Sequence, residues 1–156
     1  MTGQVQGIVI GGLLPALFFG ISGVFAKAAT QGTTIGTGLY MVLVGLAAAL
    51  VGLMVHLVDP GKVASLRSGV FTSLVGVTWG IAAGLVAFAL TKYRTPIATL
   101  VPLYNMNTLV AVVIGLFWFA EWKEVNTFRL VVGSICIVVG GSLVATSVAA
   151  PAAGGP

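Results

Sequence analysis

The stretch Gly36-Thr37-Gly38-Leu39-Tyr40-Met41-Val42-Leu43-Val44-Gly45-Leu46-Ala47-Ala48-Ala49-Leu50-Val51-Gly52-Leu53-Met54-Val55-His56-Leu57 contains no Asp, Glu, Lys or Arg. At 1.5 Å per residue it makes a helix about 33 Å long, enough to cross a bilayer core of about 30 Å. Four more stretches have the same character: Gly7–Ala26, Val70–Leu90, Pro96–Phe119 and Leu130–Val148. A helix satisfies its own backbone in lipid, whereas strands must close into a barrel with alternating polar positions. That alternation is absent, so the expected fold is an all-α membrane protein, a bundle of five transmembrane helices over residues 1–148.

Composition supports this solvent. Of 156 residues, 58% are hydrophobic and 6% charged, against about 25% charged in a soluble domain. The surface needed to face water cannot be built from ten charges, and a multi-pass cell-membrane protein is expected. The chain is too short for two fused transporter halves. A pI near 9.7 rests on seven cations scattered singly between apolar runs, not on a basic patch, so nucleic acid is not an expected partner. Cys136 is alone, which rules out an internal disulfide, and in its apolar run it reads as a small buried hydrophobe. No Lys or Arg precedes the first apolar run, which is twice the length of a signal-peptide core, so it reads as a retained span despite Ala26-Lys27-Ala28.

The ends of the spans carry local signals. Asp59-Pro60-Gly61 stops the second span, since proline withholds a donor and glycine frees the turn. Ser68 is an expected cap for the third span, Thr95 with Pro96 at the first helical position for the fourth, and Asn126 or Thr127 for the fifth. Trp118 and Trp122 fall where an interfacial aromatic belt belongs, and Glu121 and Glu124 in a wet or interfacial turn. Residues 149–156, only Ala, Gly and Pro, form an expected flexible tail.

Lys and Arg in short loops usually set orientation. Five spans put Lys62, Arg67, Lys123 and Arg129 on one side, and Lys27, Lys92 and Arg94 on the other. Four against three leaves two readings open, one fixed orientation or insertion both ways with antiparallel pairing. Within the spans there is no Asp, Glu, Lys or Arg, so no buried carboxylate is available for a proton relay. Lys27 and His56 lie at span ends and read as interfacial anchors.

Neutral polar residues remain, and they concentrate in the fourth span: Pro102-Leu103-Tyr104-Asn105-Met106-Asn107-Thr108. Pro102 cannot donate to the Ala98 carbonyl, and a kink is expected there. In a regular helix Pro102, Asn105 and Thr108 share one face, and Tyr104 and Asn107 another. Two asparagines near the bilayer centre must either line a cavity or bond neighbouring helices, and residue type does not choose between these. In the third span Gly76, Gly80 and Gly84 form a small-xxx-small ridge for close helix approach, flanked by Thr78 and Trp79. A tryptophan at that depth is either core or a stacking wall for a small organic ligand. Gly7-xxx-Gly11, Gly32-xxx-Gly36, Gly133 and Gly140-Gly141 read as packing positions, and Pro15 predicts a kink in the first span. No Ser/His or His/Asp cluster lies at membrane depth and no metal-ligand spacing occurs, so neither an enzyme nor a metal or cofactor is expected.

The run Ala89-Leu90-Thr91-Lys92-Tyr93-Arg94-Thr95-Pro96-Ile97-Ala98 resembles the entry to the fourth helix of EamA-type domains of the drug/metabolite transporter superfamily. Pro102 and Glu121 match that family's proline-containing helix ending in Glu. Gly133-Ser134-Ile135-Cys136-Ile137-Val138-Val139-Gly140-Gly141 is similar to its Gly-rich final helix, and Phe19-Gly20-Ile21-Ser22-Gly23-Val24-Phe25-Ala26-Lys27 to its first. Familiar members carry two oppositely oriented units in one chain. The resemblance therefore implies one unit of an inverted-repeat transporter that needs a second copy, antiparallel, to build a solute site at the midplane. The expected function is transport of a small polar organic metabolite by alternating access, with Tyr104, Asn105, Asn107 and Thr108 as polar lining and Trp79 and Thr78 in the wall. Pro15, Pro102, Gly76, Gly80 and Gly84 would supply bends and packing. Small multidrug exporters of the superfamily couple through an acid in their first helix, and Gly7–Ala26 has none. The other class in view is a non-transporting scaffold or regulatory subunit that packs with a partner membrane protein.

Overall fold

A computed structural model describes residues 3–32, 35–61, 65–123 and 125–147. These are helical, with no strand among the described residues. In chain order they form α1 (Gly3–Ile8), a π-helical turn (Val9–Leu13), α2 (Leu14–Thr30), α3 (Thr37–Val58), α4 (Leu66–Lys92), α5 (Ile97–Tyr104), α6 (Asn107–Trp118), a 3-10 turn (Glu121–Lys123) and α7 (Thr127–Ala145). Five stretches are long and apolar enough to cross a membrane: Val5–Thr30, Thr37–Val58, Leu66–Lys92, Ile97–Trp118 and Thr127–Ala145. All five expected spans are present, with shifted ends. Lys62, Glu124, Val148 and the 149–156 tail lie outside the described residues.

The ends show where local chemistry wins. Ser65, not Ser68, caps α4, because its extended backbone (ψ 157°) aims the hydroxyl at the Ser68 N–H, 3.2 Å away. Ser68 is thus the donor of the capping bond rather than its acceptor. Pro96 is itself the N-cap of α5 with no side-chain bond, so the helix begins one position later than expected. Thr95 does not cap: the N-cap position falls on Pro96 and no side chain accepts a capping bond, while the Thr95 N–H donates to the Ala89 carbonyl at 3.3 Å, alongside that of Tyr93 at 3.2 Å. Asn126 does cap α7, its side-chain oxygen accepting from the Arg129 N–H at 3.0 Å. In the first span the Leu14 N–H reaches back to Val9 in the π turn. Pro15 follows directly, inside the continuous Val5–Thr30 helix, where the adjoining π turn accompanies the rung it cannot make.

Arg94 (φ 52°) and Ala120 (φ 57°) occupy left-handed backbone just past the ends of α4 and α6, a region that costs a non-glycine residue about 1–2 kcal/mol. Gly32 (φ 68°) makes the turn after α2 without that cost. Gly32-xxx-Gly36 is therefore no helical packing motif: Gly32 lies in a turn and Gly36 is the N-cap of α3. Four-residue spacing defines a face only inside a helix.

The chain divides into two compact units, Met1–Thr95 and Pro96–Pro156. In the first, α4 packs on α3 and on α2. Lipid tails are as apolar as leucine, so what holds such helices is close fit and hydrogen bonding rather than escape from water. The Thr37 and Thr91 hydroxyls meet at 3.1 Å across α3 and α4, and one-turn neighbours Ala87 and Leu90 are buried. Above them the α carbon face of Gly84 admits the Met41 side chain, 3.9 Å from where a Cβ would stand. In the second unit α7 packs on α5 and α6. Ser134 and Gly141 of α7 are buried, with the Ser134 hydroxyl donating to the Leu130 carbonyl at 2.9 Å. Cys136, expected inside, is exposed. An apolar run cannot distinguish a residue facing protein from one facing lipid, because both environments accept it.

Candidate functional site

The polar cluster of the fourth span sits at an interruption in the helix. Residues Asn105 and Met106 form a turn between α5 and α6, at the midpoint of Ile97–Trp118. Pro102 lies within α5, so the expected disturbance appears three residues later than the proline itself. The Asn105 N–H still bonds to Val101 at 3.1 Å, as in a regular helix. Beyond it the ladder tightens to three-residue bonds: Met106 N–H to Leu103 (3.1 Å), Thr108 to Asn105 (3.2 Å) and Leu109 to Met106 (3.1 Å). Pro102 withholds one rung inside α5, and downstream of it the helix passes through these tighter turns before α6 begins. The 100° arithmetic that put Pro102, Asn105 and Thr108 on one face does not run through this break.

The four polar side chains are not equivalent. The Thr108 hydroxyl donates to the Asn105 carbonyl at 2.8 Å and is satisfied locally. Asn105 and Asn107 are exposed, and neither amide makes a side-chain hydrogen bond to another described residue. The Tyr104 hydroxyl is likewise without one. Three hydrogen-bonding groups thus stand available at mid-span, where a bare polar group in hydrocarbon costs about 2–7 kcal/mol. No described residue supplies any of the three with a side-chain hydrogen bond.

What anchors the break is α7. A Cβ built on Gly141 would stand 3.1 Å from the Pro102 carbonyl oxygen and 3.4 Å from Met106 Cγ. Only a bare α carbon lets α7 come this close to both sides of the interruption. Gly133 and Gly140 have open space at the same test. Met106 escaped notice in the sequence because a methionine between two asparagines carries no polar signal; the Gly140-Gly141 pair was the only trace of its partner.

Thr78 and Trp79 belong to the first unit and Tyr104–Thr108 to the second, so the structure gathers the latter group around one turn and leaves the former in its own helix. The Thr78 hydroxyl donates to the Leu74 carbonyl at 2.8 Å and is taken up by its own helix. Trp79, at the midpoint of α4, is 46% exposed and presents an open indole. Gly76 and Gly80 face open space, so of these three ridge glycines Gly84 alone meets a neighbour among the described residues. A groove of about 520 Å³ runs along the first half of α4 past Ser65, Gly69, Ser73 and Val77. Its hydroxyls are engaged, Ser73 with Gly69 (2.9 Å) and Ser65 with Ser68 (2.9 Å), so it offers a solute little besides apolar wall. Among the described residues no three His, Cys, Asp or Glu side chains converge as metal ligands would.

Comparison of the chain with family models, with curated proteins and with solved structures finds no match in any of the three.

Proposed function

We propose that the chain is a membrane transporter of a small polar organic metabolite, working by alternating access as an antiparallel homodimer. The observation that carries this reading is the broken fourth span, with Asn105, Asn107 and Tyr104 unpartnered at its midpoint. Interrupted helices at membrane depth are tolerated where they line a cavity, and transporters use them to present polar groups to a solute. Neutral amides and a phenol suit hydroxyl, amide or zwitterionic solutes better than permanent ions. The unit that carries the broken span would supply one wall, and that of an inverted second copy the facing one. The near tie of Lys and Arg between the two sides is compatible with insertion both ways. The EamA-type pattern read in the sequence, which no family model matches, would imply the same arrangement. The open faces at Gly76 and Gly80 also suit a packing subunit without transport, which remains the rival reading.

Proteoliposomes containing the purified chain are expected to exchange a labelled solute from a panel of sugars, amino acids and polyamides faster than protein-free vesicles. A single cysteine at Gly3, in a Cys136→Ala background, is expected to react with an impermeant thiol reagent in about half the molecules from each side. Labelling confined to one side would remove the inverted homodimer. Absence of exchange across the whole panel, with a second protein co-purifying in fixed ratio, would favour the packing subunit.

A further inference from the structure

One end of the first unit gathers positive charge without any acid to balance it. The Thr37–Thr91 hydroxyl contact at 3.1 Å places the start of α3 beside the end of α4. From Thr30 to Thr37 the chain advances seven residues, at most about 25 Å, whereas the Val5–Thr30 helix is about 39 Å long. The end of α2 therefore lies at that same end. Lys27 is in the last turn of α2, Lys92 closes α4, and Arg94 follows two residues on. The single carboxylate of residues 1–95, Asp59, caps the far end of α3, about 33 Å away along that helix. None of the three cations makes an ion pair with a described residue.

Two local features set this end apart from a neutral helix terminus. The Ala89 carbonyl, which would attract a cation, already accepts from the N–H groups of Tyr93 and Thr95. Arg94 holds a left-handed backbone, φ 52°, where glycine would be relaxed. Exposed Tyr93, edge-on to Phe88 with ring centroids 5.7 Å apart, stands between Lys92 and Arg94 as an amphipathic residue of a membrane interface does.

We infer that Lys27, Lys92 and Arg94 form a binding face for anionic phospholipid headgroups in the leaflet at this end. The inference rests on the five helices crossing a bilayer and is independent of transport. The cations flank the ends of two packed spans, which is headgroup depth. Each Lys or Arg near an anionic lipid surface contributes roughly fivefold in affinity. A phosphodiester is the counter-charge that the chain itself omits here.

The test compares thermal midpoints of the full chain in nanodiscs of phosphatidylcholine alone and with one quarter phosphatidylglycerol. The wild type is expected to gain several degrees from the anionic lipid, and the gain is expected to shrink in high salt. The triple variant Lys27→Gln/Lys92→Gln/Arg94→Gln should lose most of the gain, while Arg67→Gln, a single cation at the opposite end of α4, should keep most of it. Arg94→Gly separates lipid from backbone: it should raise the midpoint in phosphatidylcholine by relaxing φ, yet reduce the gain from phosphatidylglycerol. Should the triple variant fail to fold, Lys92→Gln alone is expected to lose about a third of the gain. An undiminished gain in the triple variant or in Lys92→Gln, or its loss in Arg67→Gln, overturns the proposal. Inorganic phosphate added to the phosphatidylcholine discs should have no effect; an equal shift from it would assign the face to a soluble anion instead.

Discussion

Leucine in place of Asn105 or Asn107 is expected to cut solute flux at least about tenfold while leaving the fold as stable as before, or more so. The two readings of these residues differ in sign. If the amides glued helices together, leucine would cost about 0.6–2 kcal/mol of stability. In the structure neither amide bonds to another described residue, so leucine removes an unpaired polar group from mid-span and adds none. The flux penalty follows from one lost solute hydrogen bond, about 1.4 kcal/mol for each factor of ten. Thr108→Val is the control within the same turn. Its hydroxyl is bonded to the Asn105 carbonyl at 2.8 Å, so the variant should disturb the turn more than the solute. The readouts are initial exchange rate in proteoliposomes and unfolding midpoint in the same lipid.

Alanine at Gly141 is expected to destabilise the protein by about 1–3 kcal/mol, and valine by more. The new methyl would meet the Pro102 carbonyl oxygen at 3.1 Å, and a backbone oxygen cannot swing aside as a methionine tip can. The cost has to be met by moving α7 off the break, which also displaces Met106 and loosens the turn that presents Asn105 and Asn107. Alanine at Gly140, the next residue, faces open space and replaces a poor helix former, so it should be neutral or stabilising by about 0.5–1 kcal/mol. Equal behaviour of the two variants in equilibrium unfolding would show that α7 does not rest on the break.

What could be read in the sequence divides along a physical line. The five spans were legible because a charge-free run such as 36–57 has few alternatives to a membrane helix, and the polar cluster in the fourth span stood out against leucine and valine. Which face of a helix meets protein was not legible. In water the polar side of an amphipathic helix marks the surface, but in lipid both sides are apolar. Cys136 therefore looked buried and is exposed, and of the glycines read as packing positions Gly84 and Gly141 meet a neighbour among the described residues while Gly76 and Gly80 have open space. The helix ends turned on which side-chain oxygen meets a free N–H: Ser65 accepts that of Ser68 and Asn126 that of Arg129, while Pro96, which has no side-chain acceptor, stands at the cap of α5. A break in the fourth span was legible in kind but not in place: Pro102 lies within α5, and the turn falls three residues beyond it at Asn105–Met106.

Whether the break lines a polar path is tested most directly by water access at its depth. Asn105→Cys in a Cys136→Ala background and the native Cys136 both lie near the middle of their spans and both are exposed. Treated in proteoliposomes with a charged, membrane-impermeant thiol reagent, the cysteine at position 105 is expected to react, and transported solute to slow it, while Cys136 in the wild type stays unmodified in lipid. Protection of position 105 to the same degree as Cys136 would mean that the fourth span faces hydrocarbon, and the polar path would be contradicted.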